Sequence, residues 1–435
     1  MPLPSTCLHH HLRQFTEAFR SCFSQPQFRH FVTVLLGLLQ CQEPHTLTGI
    51  LRQVAEAPST ASLSRFLAQA PWSAEGLVQH WLARFREQMR PLVEAEQLGQ
   101  QAARPKRRGR PTVPKVTGYL IGDDTTIAKP KGRKMAGLGR HYSTMAGKQV
   151  TGHSLVQGLY LLLKRRCPLA PRLYRQRTVC RRASVPFQSK IDLMEDLIRT
   201  FEPVPGTLTH VLLDSWYSSK RLWKAARGQD FLITTGLKKN RALRLEDPRV
   251  PHSWRWERLD VYLAGLNASD YQHVPWPSQA EEPRLVYVHV ISTRVRTLYR
   301  CQVVMVRESL TAPLAEARYW ASSDLEADLL TLLQHLATRW AVEVLFADTK
   351  ELLGLDQYQL MSAPAIVRFW TLVLAAYLFL DEERSQRPQS ELDTLTIGQT
   401  RRAVQQNHQR AFIDWMYGQF QAGVSATEVC QRLIA

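Results

Sequence analysis

Apolar residues recur at helical spacing through the first hundred positions of the chain. Leu12, Phe15, Phe19 and Cys22 mark one amphipathic stretch, and 28–41 is apolar on nearly every side. Two short helical patterns follow at 47–55 and 59–68, broken by Glu56-Ala57-Pro58. The first buries Leu47, Ile50, Leu51 and Val54. The second buries Leu63, Phe66 and Leu67 and exposes Thr60, Ser62, Ser64, Arg65 and Gln69. This pattern fits a helix-turn-helix whose second helix enters a major groove, although short polar-faced helices are common in any fold. Ser73 caps a further amphipathic helix running to about Glu96.

From Gly118 the period changes. A strand at 119–124 ends in Gly122-Asp123-Asp124-Thr125-Thr126, and further strands fall at 155–163 and 173–174. A helix at 187–201 carries Ile191, Met194, Leu197 and Ile198 on one face. A short, fully apolar strand at 211–214 ends on Asp214, and a helix (219–227) and a strand (231–235) follow. Between 236 and 316 the helical signal vanishes, and 285–292 and 298–307 alternate as a strand pair would. The capping box Ser323-Asp324-Leu325-Glu326 opens a helix predicted to reach Leu353. A very apolar helix at 363–380 and a polar helical tail complete the chain. The fold class is α/β: a mixed sheet with flanking helices, interrupted by a β-rich insertion and preceded by an all-helical region.

Charge sharpens this picture. The 435 residues carry 56 Lys and Arg against 38 Asp and Glu, a formal net charge of +18. Such an excess favours a polyanionic partner, most often nucleic acid. Part of it lies in 99–117, where Lys106-Arg107-Arg108-Gly109-Arg110-Pro111 resembles an AT-hook core. Arg108 and Arg110 on either side of a glycine can follow a narrow minor groove; as a plain basic linker the same segment contacts phosphates non-specifically. Seven scattered cysteines with no C-x-x-C pair argue against a zinc ribbon or a disulfide framework and for a reducing compartment. The start lacks a signal-peptide pattern, and the apolar runs at 31–41 and 369–380 fall short of a bilayer span. The expectation is a cytoplasmic protein with no membrane partner.

Candidate chemistry centres on 338–354, where Arg339, Glu343 and Lys350 stand four and seven residues apart. At about 100° per residue they share one narrow helix face. Surface helices carry such sets as ordinary ion pairs. Here the acid between two cations aligns with two strand-end acids, Asp124 and Asp214. Side chains converge where neighbouring strands of such a sheet end, although a strand-end aspartate is often only a turn cap. Three convergent carboxylates can hold two Mg²⁺ (or Mn²⁺) ions about 4 Å apart for in-line phosphoryl displacement. Arg339 and Lys350 would then clamp phosphate.

These blocks resemble the DDE transposases of bacterial insertion sequences, in the group whose last acid lies in a Tyr-x2-Arg-x3-Glu-x6-Lys signature. Arg339, Glu343 and Lys350 match its spacing. Asp-Asp-Thr-Thr at 123–126, with Lys129 and Gly132, looks like the first-acid motif, and Leu213-Asp214-Ser215-Trp216-Tyr217 like the second. The signature tyrosine falls on Leu336. The resemblance favours Asp124 over Asp123, since the family acid directly precedes the threonine; strand alternation lets only one of the two face the metals.

The resemblance implies a ribonuclease-H-like core acting on transposon ends as a dimer, with double-stranded DNA (ends and target) as its partner. Its organisation would be a helical DNA-binding domain (1–98), a basic linker (99–117), core (118–235), β insertion (236–316), core with the glutamate helix (317–382) and a helical C-terminal region (383–435). Aromatics near the acid hold DNA ends in relatives. Trp320 and Trp340 are candidates, with core packing the commoner role for each. A metal-dependent nuclease without strand transfer and a non-catalytic DNA-binding repressor are the other classes; intact acids at all three positions speak against the latter.

Overall fold

The computed structural model describes residues 3–4, 8–55, 57–103, 115–143, 146–250, 252–278, 282–388, 391–392 and 394–434. Arg108 and Arg110 of the linker lie outside the described residues.

The helical region comprises α1 (His10–Glu17), α2 (Gln25–Gln40), α3 (Leu47–Leu51), α4 (Thr60–Ala68) and α5 (Ala74–Ala103). A short parallel pair, β1 (Leu3–Pro4) with β2 (Val54–Ala55), ties the start of the chain to the segment after α3. The helix expected over 47–55 therefore stops at Leu51, and its last residues pair as strand. Helix α4 buries Leu63, Phe66 and Leu67 and is capped by Ser59, whose side chain accepts from the Ser62 backbone. Ser62 does not face outward as the periodicity suggests; its hydroxyl meets the His30 imidazole at 2.9 Å. Helix α5 runs through Ala103, past the expected start of the linker.

The sheet begins with β3 (Val116–Ala128), β4 (Gly139–Ser143), β5 (Lys148–Leu162), β6 (Arg165–Pro168) and β7 (Arg172–Tyr174). Then come α6 (Arg177–Arg182), α7 (Lys190–Thr200), β8 (Thr207–Leu213), α8 (Lys220–Arg227) and β9 (Leu232–Leu237). A separate hairpin, β10 (Ala242–Glu246) with β11 (Trp254–Arg258), leads into α9 (Leu259–Ala264), one helical turn where none was expected. Strands β12 (Gln272–Pro275), β13 (Leu285–Arg294), β14 (Arg300–Arg307) and β15 (Arg318–Ser322) rejoin the main sheet. Its order is β12-β13-β14-β15-β9-β8-β3-β5-β4, with β3–β8 and β8–β9 parallel and β15–β9 antiparallel. The inserted strands thus extend the central sheet, because β15 supplies hydrogen bonds to the open edge of β9.

Helices α10 (Leu329–Thr338), α11 (Ala341–Leu353), α12 (Ala363–Ser385), α13 (Ile397–Gln421) and α14 (Ala426–Ile434) complete the chain. Helix α12 is long and apolar enough to cross a bilayer, yet 83% of that window is buried, so its apolarity answers to protein neighbours. One continuous core runs from Leu12 of α1 through α12 to Leu433, so the N-terminal helices share it with the sheet. A second core joins Val286, Val288, Val304 and Val306 of the inserted strands to Leu332, Leu333 and Leu336 of α10.

The helix expected from 323 to 353 is two helices. Asp324 closes a turn by accepting from the Glu326 and Ala327 backbones, and Asp328 is the residue that caps α10. Arg339 and Trp340 interrupt the helical ladder but keep right-handed dihedrals (φ −54°, ψ −30° and φ −60°, ψ −19°). The rotational phase therefore survives the break, and Arg339 still sits one turn before Glu343. Gly354 ends α11 in the left-handed region at φ +65°, a conformation costly for any residue with a Cβ.

Candidate active site

Strand β3 pairs with β8 only as far as Gly122, opposite Leu213, while its pairing with β5 continues to Ala128. The next residues on the two parallel strands are Asp123 and Asp214. The acids thus appear where β8 leaves the sheet and β3 runs on, not where β3 ends as the sequence suggested. Asp214 caps the turn that follows: its Oδ1 accepts from the Trp216 and Tyr217 backbones at 3.0 and 3.3 Å.

Alternation along β3 separates the paired aspartates. On one face lie Asp123 and Thr125. The Asp123 carboxylate is 3.7 Å from the Arg339 guanidinium, and Thr125 Oγ1 accepts from Lys350 Nζ at 2.7 Å. Arg339 also donates to Glu343 Oε1 at 2.5 Å. On the other face, a Cβ on Gly122 would collide with Met194 of α7, and Asp124 follows the same side. Its carboxylate accepts from Lys190 Nζ (2.5 Å), Tyr217 Oη (2.8 Å) and Ser154 Oγ (3.4 Å). The residue that shares a face with Arg339, Glu343 and Lys350 is therefore Asp123, and Asp124 is engaged behind the strand. Position before the threonine cannot reveal this, because only the pairing of β3 with its neighbours sets which residue points where.

The electrostatics tie both β3 aspartates to Asp214, which raises Asp123 and is itself raised by Asp124. Burial and the neighbouring Asp214 carboxylate push Asp123 up to about 7. Burial also raises Asp214, against the pull of Arg339. Two half-buried acids with raised pKa values, beside a single guanidinium, make a donor set short of positive charge, and hard oxygen ligands suit Mg²⁺ or Mn²⁺. Burial lowers the pKa of Lys350, whose ammonium is held by Thr125 rather than by an acid.

A cleft of about 340 Å³ opens beside these groups, walled by Asp214, Ser215, Lys239, Arg318, Trp320 and Arg339. Trp320 is half-buried in its wall. Trp340 is 59% exposed, which overturns core packing as its role, and Trp216 stands 60% exposed beside Asp214 with Lys238 over its ring. Sequence reasoning missed Lys190, Tyr217, Ser154, Lys239 and Arg318. Only Tyr217 carried a signal, three residues after Asp214. Lys129 donates to the Asp356 and Tyr358 carbonyls and so braces the loop after α11.

The departure at Leu336 also has a structural reason. Its side chain fills the second core against the inserted strands, a place for a hydrocarbon and not for a phosphate-binding hydroxyl. Leu336→Tyr is therefore expected to overpack this core and cost about 1–3 kcal/mol in chemical denaturation, with no gain in DNA binding.

Convergent acids at the open end of parallel strands, flanked by cations on a following helix, form a site suited to phosphodiester chemistry. Comparison with known families agrees. The family described as DDE superfamily endonuclease matches residues 18–260, more than half the chain, and the chain belongs to it. The Transposase DDE domain matches residues 188–379. The first match contains Asp123, Asp124 and Asp214 and the second contains Asp214 and Glu343, so together they span the acids. No curated protein matches the chain. Among solved structures it is similar to a piggyBac transposase synaptic complex with hairpin DNA, over 99% of this chain and 81% of that one. That similarity has 10% identity and a TM-score of 0.43, too distant to carry residues or activity across.

Proposed function

We propose that this DDE-superfamily protein is the transposase of a bacterial insertion sequence. It would bind the element's ends as a homodimer, cut DNA by metal-assisted hydrolysis, and join the freed 3′-OH to target DNA. The observation that carries this reading is that Asp123 and Asp214 follow the last paired residues of two neighbouring parallel strands, with Arg339 reaching both Asp123 and Glu343 and Lys350 bonded to Thr125 on the same strand. Motif position favoured Asp124 as the first acid; the shared face with Arg339 supports Asp123.

Two bound Mg²⁺ or Mn²⁺ ions would supply activation of the attacking oxygen and stabilisation of the leaving one. Asp123, Asp214 and Glu343 would hold them. Arg339 orients Glu343 by its hydrogen bond and offsets phosphate charge. Lys350 stands over Thr125, ready to exchange that hydroxyl for a phosphate oxygen. Exposed Trp340, and Trp320 in the cleft wall, offer faces on which a DNA base can stack. The basic segment with Arg108 and Arg110 adds non-specific phosphate contacts.

The deciding experiment uses DNA carrying the terminal repeats that flank the gene, with purified protein and Mg²⁺. Strand joining from pre-cut ends supports a transposase; cleavage without joining reduces the reading to a nuclease; neither product overturns it.

Asp123 also gives the site a pH signature. Its folded pKa is raised, so the folded state keeps a proton that the unfolded chain has already released. Without metal, stability is therefore lost as pH rises from about 4 towards 7. A bound divalent ion takes the proton's place. The rise in Tm on adding Mg²⁺ is expected to be larger at about pH 8 than at about pH 6, and thermal melts at the two pH values check it.

A further inference from the structure

Four residues before Asp214 and four before Arg339, two histidines meet on the sheet. His210 of β8 and His335 of α10 have ring centroids 4.0 Å apart. His210 is completely buried and His335 is 3% exposed. Nε2 of His210 lies 2.8 Å from Thr234 Oγ1, whose hydroxyl donates to Ser322 Oγ at 2.9 Å. With its own proton spent on Ser322, Thr234 accepts from His210 Nε2–H. Neutral His210 is thereby fixed in the tautomer whose Nδ1 carries a bare lone pair.

That nitrogen has no hydrogen-bond partner among the described residues, and neither has either ring nitrogen of His335. The Asp324 carboxylate reaches to 4.0 Å from His335 Nε2. One ligand atom from each of the three residues falls within 4.8 Å of the others. Neutral His335 has one N–H for two acceptors, His210 Nδ1 and the Asp324 carboxylate, so hydrogen bonding answers only one of them. Gaining a second N–H by protonation is opposed by burial. A cation can take one lone pair from each of the three groups at once.

We propose that His210, His335 and Asp324 form a structural Zn²⁺ site, separate from the carboxylate site for Mg²⁺. Two imidazole nitrogens and one carboxylate suit zinc and disfavour magnesium, with water completing a tetrahedron. Thr234 orients the His210 ring from behind, as groups bonded to the far nitrogen of a ligand histidine commonly do. Asp324 is held in place through its other oxygen by the Glu326 and Ala327 backbones. Zn–ligand bonds of about 2.0–2.2 Å set ligand atoms roughly 3.4 Å apart, so the trio draws together by about 1 Å on binding. The ion would pin α10 to β8 and to the turn after β15, the pieces that place Arg339 and Asp214. The site stands whether or not the chain transposes DNA.

The test uses the full chain without a histidine tag, stripped by chelator and titrated with Zn²⁺ in excess Mg²⁺. A His11→Ala background removes a second trio, His9, His11 and Glu383, whose ligand atoms also lie within 4.8 Å of one another. The background protein is expected to bind one Zn²⁺ per chain, with a raised Tm and, with Co²⁺ substituted, tetrahedral d–d absorption bands. Adding His335→Gln or Asp324→Asn should weaken Zn²⁺ binding by about 100-fold or more and remove the bands; adding Glu343→Gln should leave both intact. The Asn carboxamide oxygen can still accept from the 326 and 327 backbones, so Asp324→Asn separates ligand loss from misfolding. Zn²⁺ binding unchanged in both variants, or none in excess Mg²⁺, overturns the proposal.

Discussion

Asp123→Asn, Asp214→Asn and Glu343→Gln are each expected to lower metal-dependent DNA cleavage by on the order of 10³-fold or more. Their folds should persist. Each carboxylate is disfavoured as a charge by desolvation and by a neighbouring acid, so Tm without metal should hold or rise for Asp123→Asn and Asp214→Asn. Asp124→Asn should behave differently. It strips the charge that faces Lys190 and weakens the bond from Tyr217, which belongs to the turn capped by Asp214. Its Tm should fall and its activity should suffer through displacement of Asp214, while Mn²⁺ still binds. Calorimetric Mn²⁺ titration of each variant, beside single-turnover cleavage, distinguishes the two aspartates. Loss of Mn²⁺ binding in Asp124→Asn and its retention in Asp123→Asn would return the first acid to Asp124. No metal-dependent cleavage by the wild type would instead remove the enzymatic reading altogether.

The largest stability effect is expected far from the cleft, at Asp381. This carboxylate is fully buried on α12 and accepts from Arg165 Nε (3.0 Å), the Arg166 backbone (2.9 Å) and Arg384 Nη2 (2.9 Å). Arg384 also donates to the Lys164 and Leu392 carbonyls, so one network ties α12 to the β5–β6 turn and to the segment before α13. Asp381→Ala would leave two guanidinium groups buried without their counter-charge, and breaking such a set costs about 3–5 kcal/mol. Asp381→Asn keeps part of the hydrogen bonding and should cost less. Urea unfolding of both variants checks this; a loss below about 1 kcal/mol for the alanine variant would mean that water reaches the arginines.

Both expectations depend on features that sequence patterns do not display. Asp381 reads as the first charge after an apolar run, and nothing in its neighbours marks Arg165, more than two hundred residues away, as its partner. Asp123 and Asp124 are chemically identical neighbours, separated only by strand pairing. Trp340, a large apolar side chain followed by Ala341 and Val342 in the sequence, looks like core, yet the two-residue break between α10 and α11 leaves its indole outside. His210 and His335 carry no motif at all and meet because β8 and α10 are packed together.

What the sequence determined by itself was local and periodic. Helical spacing placed α2, α4, α7 and α12, and strand alternation placed β13 and β14. The spacing of Arg339, Glu343 and Lys350 set a shared face that survived a helix break, because Arg339 and Trp340 keep helical dihedrals. Net charge pointed to a polyanion. The tertiary structure alone decided which aspartate faces Glu343, how the inserted strands continue the sheet through β15, and why position 336 is leucine. The physical reason is common to all three. A side chain's direction along a strand, its partner across a sheet and the layer it fills are relations between distant segments, and the interactions that fix them do not repeat along the chain.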